Sequence, residues 1–260
     1  MIDQDFYKKV TKIHGWLSPE EALLLYYLAR QSNSLGRIVE IGSYCGKSTV
    51  VIAQAVKERR TLPIVAVDPH MGNIDKNLPR NKETYSIYLS NLKLMGVTKC
   101  VKTLRSTSFA ASKIFNQKIS LLFIDALHDY ESVKLDIQSW LPKVNSNGTI
   151  AFHDAFGATY PGVLKAIFEK LLNTHHVKKI GIVGSIVYVV LGDAQSLWQR
   201  IDTYRVKTSL KLSIVIWNNW LLPSGVKETT INVILKPFYL NNLTIRATVQ
   251  RYLGIKTLPF

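Results

Sequence analysis

The stretch V-E-I-G-S-Y-C-G-K-S-T, residues 39–49, decides the reading of this chain. Its first residues close a short apolar run, R-I-V-E-I-G at 37–42, of the kind that forms a fully buried strand. Gly42 and Gly46 then allow a sharp turn whose backbone can approach a ligand at the start of a helix. Gly46-Lys47-Ser48 ends like a nucleotide-binding P-loop, but that cradle needs four residues between its glycines. Here only Ser43, Tyr44 and Cys45 separate them. Glu40, just upstream of the first glycine, would sit awkwardly beside a triphosphate, whereas a positively charged sulfonium ligand tolerates a carboxylate nearby.

Outward from this turn the chain alternates apolar runs with amphipathic stretches. Strand-like runs lie at 37–42, 63–68, 99–104, 119–125 and 147–153. Helical patterns lie near 18–30, 47–58, 82–95, 107–116, 131–141 and 161–173, the first opened by Ser18 as N-cap with acids in its first turn. Short buried strands separated by helices read as βαβ units, hence a parallel sheet covered on both faces. Two apolar runs between 178 and 192 meet at Gly184-Ser185 and predict a hairpin, so the last strand is antiparallel. The expected fold is a Rossmann-like, doubly wound α/β sheet over residues 1–192, with N-terminal helices. Residues 193–260 break the alternation and read as a basic, aromatic appendage.

Composition narrows the function classes. Apolar residues make up 47% and charged residues 20%, the balance of a folded globular chain. No stretch reaches the length of a membrane span, and M-I-D-Q-D-F-Y-K-K-V does not read as a secretory signal, so the cytoplasm is the expected compartment. Cys45 and Cys100 alone cannot make a disulfide framework or a cysteine zinc site. The formal charge of +15, from 33 basic and 18 acidic residues, allows a nucleic acid, an anionic membrane surface or an acidic small substrate as partner. It also allows plain solubility. No arginine-rich arm singles out nucleic acid.

E-I-G-S-Y-C-G-K-S resembles the first motif of class I S-adenosylmethionine-dependent methyltransferases, above all the catechol O-methyltransferase-like enzymes. The likeness spans about residues 15–192, and L-F-I-D-A-L-H-D-Y-E with F-H-D resembles the subgroup related to macrolide-sugar O-methyltransferases. It implies S-adenosyl-L-methionine as cofactor, held by Glu40, Gly42, Ser43, Tyr44, Gly46, Ser48, Asp68, Ser106 and Asp125. Asp68, at the second strand tip, is placed for the ribose hydroxyls, which a carboxylate can accept; a turn or cap role is its structural alternative.

Asp125 ends one strand and His153-Asp154 the next, so their side chains converge where α/β sheets bind ligands. Two carboxylates and an imidazole can hold Mg²⁺ or Mn²⁺, the imidazole favouring the transition metal. The family usually has an acid where this chain has His153, and the alternative is that His153 and Asp154 only bond their own loop. His128 occupies the frame of the catalytic base in the sugar O-methyltransferases, and a neutral imidazole can take a hydroxyl proton. His70 is a second histidine expected to line the cleft.

The implied activity is O-methylation of a sugar, glycan or natural-product hydroxyl, with a divalent cation. RNA methylation and a non-catalytic cofactor-binding scaffold are the alternatives. Within the appendage, about Arg205 to Leu222 interleaves cations with Leu210, Ile214, Trp217 and Trp220. It reads as packing on the core, as a homo-oligomer surface, or as contact with an anionic membrane; its alternation suits strand or helix.

Overall fold

A computed structural model describes residues 4–32, 35–71, 84–156, 160–193, 196–218, 226–227 and 229–230. Two helices, α1 (Gln4–Val10) and α2 (Pro19–Gln31), precede the first strand. Ser18 caps α2 reciprocally: its Oγ accepts the Glu21 amide at 3.3 Å, and a Glu21 carboxylate oxygen accepts the Ser18 amide at 2.8 Å. There follow β1 (Arg37–Ile41), α3 (Lys47–Arg59), β2 (Ile64–Val67), α4 (Thr84–Leu94), β3 (Val101–Leu104), α5 (Ser108–Ile114) and β4 (Ile119–Ile124). The chain continues through α6 (Tyr130–Trp140), β5 (Val144–Phe152), α7 (Pro161–Ile167), β6 (Val177–Val183), β7 (Ile186–Leu191) and α8 (Leu197–Asn218).

The strands form one sheet in the order β3-β2-β1-β4-β5-β7-β6, parallel except for β7, which runs against both β5 and β6. The chain builds outward from β1 in one direction and then from β4 in the other. Such a reversal opens a crevice at the carboxyl ends of the two central strands. Both faces of the sheet are covered. Val39, Ile41, Leu122 and Ile124 face Trp140 and Ile167, while Ile38, Leu121 and Phe123 face the layer of α2 and α3. This double burial is why the strands read as continuous apolar runs.

Two elements differ from expectation, and a third takes one of the two forms its sequence allowed. β5 begins at Val144, earlier than the Gly148-containing run suggested, because Asn145 to Asn147 continue the strand although two of these side chains are exposed. The 161–173 helix divides, α7 giving way to a π-helical turn over Phe168–Leu172. Residues 197–218 are one helix, whose Val206 and Leu210 join the core beside β6 and α7. Its opposite face exposes Leu197, Trp198, Ile201, Tyr204, Leu212 and Val215. Trp220, Leu221 and Leu222 lie outside the described residues, as do 231–260. No helix among the described residues is long and apolar enough to cross a membrane.

Candidate active site

Each strand tip is fixed by its neighbour's last ladder bond. The Asp68 amide donates to the Leu104 carbonyl, the Asp125 amide to Ile41, and the His153 amide to Ile124. Gly42, just past β1, donates its amide to Val67 at 2.9 Å. Its φ is +87°, and a Cβ there would lie 2.0 Å from the Asp125 carbonyl oxygen, so only glycine lets the turn cross the end of β4. Gly46 is likewise left-handed, at φ +88°, and a Cβ there would lie 3.0 Å from the Tyr88 ring.

The carboxylates expected to face a cofactor organise the turn from within. Glu40 is fully buried and accepts the hydroxyls of Ser43, Ser48 and Thr49 at 2.9, 2.6 and 2.5 Å. Burial pushes its carboxyl up to about 7 even though the three hydroxyls oppose that shift. The side chains of Glu40, Ser43 and Ser48 thus meet one another inside the loop, where the buried carboxyl has those hydroxyls as partners. Asp68 accepts the Ser43 and Tyr44 amides, both at 2.8 Å, and the His70 amide at 2.6 Å. The turn alternative for Asp68 is thus also filled. What the loop leaves half-exposed is Gly42 and Tyr44, whose ring packs at 5.4 Å from Trp16, itself 59% exposed. Lys47 ties this N-terminal segment down by donating to the Gly15 carbonyl at 2.9 Å. Ser106 is half-buried past β3, its hydroxyl on the Thr107 carbonyl at 3.2 Å, while Thr107 caps α5.

The second constellation assembles as a unit. Asp125, His128, His153 and Asp154 offer ligand atoms that all lie within 4.8 Å of one another. His128 Nε2 is 3.6 Å from Asp125 and 3.3 Å from Asp154. His153 Nδ1 is 3.2 and 3.4 Å from the same two carboxylates. Both nitrogens are buried, and neither makes a hydrogen bond of good geometry. Paired carboxylates with two unpartnered imidazole nitrogens aimed between them suit a divalent cation. Burial alone would raise the Asp125 carboxyl, but the two imidazoles hold it well below the usual carboxylate range. For His153, burial opposes the cation, yet Asp125, Asp154 and Glu21 outweigh it and push the imidazole strongly upward.

His70 does not join this group. It is buried against Tyr85 and Tyr88 and bonded to Thr84 at 3.1 Å, on the α4 side of the turn; burial lowers its pKa. Tyr44, His70 and Asp154 are three of the four non-glycine residues at positive φ among the described residues, and such conformations concentrate at functional sites. Sequence reasoning missed Tyr160, stacked on His128 at 4.4 Å, and the contacts Glu21 makes beyond its cap.

Residues 39–155 match a family model described as a methyltransferase domain. That segment is a methyltransferase domain. Its fold is similar to that of CalS11, a TDP-rhamnose 3'-O-methyltransferase of calicheamicin biosynthesis, at 17% identity and a TM-score of 0.53, covering 73% of this chain and 93% of that one. An O-methyltransferase from Bacillus cereus, solved with SAH, is 15% identical, with a TM-score of 0.54 and coverage of 73% and 92%. TomG of Streptomyces achromogenes, solved with SAM, is 16% identical, with a TM-score of 0.53 and coverage of 74% and 92%. At these identities the likeness is one of fold. A stretch of 119 residues is 26% identical to y4gI, an uncharacterized protein of Sinorhizobium fredii; it takes in 45% of this chain and 13% of that protein. The methyltransferase core thus carries both the glycine turn and the four-residue cluster on one sheet edge.

Proposed function

We propose that this methyltransferase moves a methyl group from S-adenosylmethionine to a hydroxyl of a sugar, glycan or natural product, assisted by a divalent cation. The observation that carries this reading is the contact between the two halves of the edge. The Gly42 turn rests directly on the backbone of Asp125, so a ligand on the turn lies beside the cluster. Fold relatives that act on a TDP-sugar or bind SAM support the same chemistry.

In this reading the Gly42–Gly46 turn seats the cofactor and Asp68 holds the turn in shape. Asp125, His153 and Asp154 would hold the cation, which when bound acidifies and orients a hydroxyl. His128, with 26% of its side chain exposed and its ring on Tyr160, takes the hydroxyl proton. The exposed Trp16 beside Tyr44 offers an apolar plate on which a sugar ring can rest. Incubation with methyl-labelled S-adenosylmethionine and a panel of nucleotide sugars and glycosides tests the assignment. Label in a methyl ether supports it; label found only on nitrogen, or transferred to RNA, overturns it.

The outward face of α8 supports association with a second copy of the chain. It leaves Trp198 79% and Tyr204 71% exposed, more aromatic surface than an isolated helix face usually presents. Light scattering that returns a dimer mass, lost when Trp198 and Tyr204 become serine, supports it. A monomer that sediments with anionic vesicles would assign the face to a membrane instead.

A further inference from the structure

We propose that Glu21 is a positioning residue of the cation centre: its carboxylate fixes the His153 ring with Nε2–H toward α2 and Nδ1 free toward Asp125 and Asp154. The proposal rests on the metal-assisted reading above and adds a residue to it. Nothing in the sequence pattern marks Glu21 beyond its place as third residue of α2.

A capping glutamate needs one oxygen for its cap and usually stays at the surface. Glu21 is 3% exposed, and both oxygens are used beyond the cap. One oxygen accepts the Ser18 amide at 2.8 Å and also faces His153 Nε2 at 3.4 Å. The other accepts the Ser185 amide at 2.6 Å and the Ser185 hydroxyl at 2.8 Å. A Cβ on Gly184 would lie 2.5 Å from that oxygen, so the hairpin turn admits the carboxylate only because residue 184 is glycine. Ser185 in turn receives the Asp154 amide on its hydroxyl at 3.2 Å, and the Ala155 and Phe156 amides on its carbonyl.

Glu21 therefore reaches both candidate ligands at the end of β5, His153 directly and Asp154 through Ser185. The chemistry of the His153 contact sets the ring's tautomer. A carboxylate accepts only, so the ring nitrogen facing it must carry a proton. In the neutral imidazole the other nitrogen then bears the lone pair, and here that nitrogen faces two carboxylates. A carboxylate behind a ligating imidazole is a recurrent way of orienting the ring and raising its basicity. It acquires added weight here because His153 brings no negative charge of its own.

Glu21→Gln tests the proposal. The neutral amide takes away the negative charge behind His153, and its single carbonyl oxygen cannot accept both the Ser18 and the Ser185 amides while holding Nε2–H as the carboxylate does. Mn²⁺ titrated into the full-length protein, with free Mn²⁺ followed by electron paramagnetic resonance, should bind about 10–100-fold more weakly to Glu21→Gln. S-adenosylmethionine affinity should stay within about twofold, and Ser18→Ala, which removes the cap hydroxyl but keeps Glu21, should leave Mn²⁺ affinity unchanged. Equal Mn²⁺ affinity in a folded Glu21→Gln protein overturns the role of Glu21 alone. A wild-type protein that takes up no Mn²⁺ overturns the metal reading beneath it. Should Glu21→Gln not fold, long-range ¹⁵N–¹H spectra of wild type with Mg²⁺ decide: an Nε2–H tautomer for His153 is expected, and an Nδ1–H tautomer overturns the proposal.

Discussion

Gly42 and Asp125 touch through their backbones: a single added carbon on Gly42 would fall 2.0 Å from the Asp125 carbonyl oxygen. The turn after β1 and the tip of β4 cannot move independently. Gly42→Ala must both adopt a left-handed φ and push Asp125 away, at a cost of roughly 1–3 kcal/mol for the conformation alone. Thermal melts should show that loss, and cation and cofactor affinity should fall together. A Gly42→Ala protein of wild-type stability would remove the contact from the account.

His128 faces both carboxylates, and 26% of its side chain is exposed against 4% for His153. His128→Ala should slow methyl transfer about 10²–10⁴-fold while cofactor and Mn²⁺ binding persist, as loss of a general base does. Single-turnover kinetics beside Mn²⁺ titration separate the roles. Loss of Mn²⁺ binding in this variant would make His128 a ligand.

Asp136 supplies a pH test away from the active site. It is 5% exposed and accepts the Ser108 hydroxyl, which receives the Trp140 indole N–H at 2.9 Å. Burial pushes its carboxyl up from 3.8 to about 6. The folded chain thus keeps a proton that the unfolded chain has released, so this group takes stability away as pH rises from about 4 to about 6. Asp136→Asn keeps an acceptor for Ser108 and removes that penalty. Its melting temperature should exceed wild type by a few degrees at about pH 7.5 and lose that margin at about pH 4. An equal margin at both values would mean that Asp136 carries no such shift.

Leu210 is fully buried where α8 meets the core. Leu210→Ala should cost about 2–4 kcal/mol in urea unfolding, the usual loss for an emptied core leucine. A negligible loss would show that α8 is not part of the packed core.

Much of this architecture was legible because the sheet is buried on both faces, which writes strands as apolar runs and helices as stripes. The Gly184-Ser185 hairpin and the Ser18 cap were readable for the same local reasons. The gathering of Asp125, His128, His153 and Asp154 followed from strand order at one edge. What sequence could not carry were long-range partners. Glu21 meets Ser185 across 164 positions, and no local pattern encodes that meeting. The inward turn of Glu40 was hidden similarly, since an acid beside a glycine loop reads the same whether it faces a ligand or three hydroxyls. Helix α8 escaped because its apolar residues lie on two faces, which blurs the helical period.

In the proposed function the Asp68-braced turn seats S-adenosylmethionine beside the cluster. Calorimetric titration of S-adenosylmethionine into wild type and Asp68→Ala tests it most directly. Wild type should show one site, and a folded Asp68→Ala should lose roughly 1.5–3 kcal/mol of binding, the scale of hydrogen bonds to a charged acceptor. No binding to wild type, or equal affinity in both proteins, would contradict it.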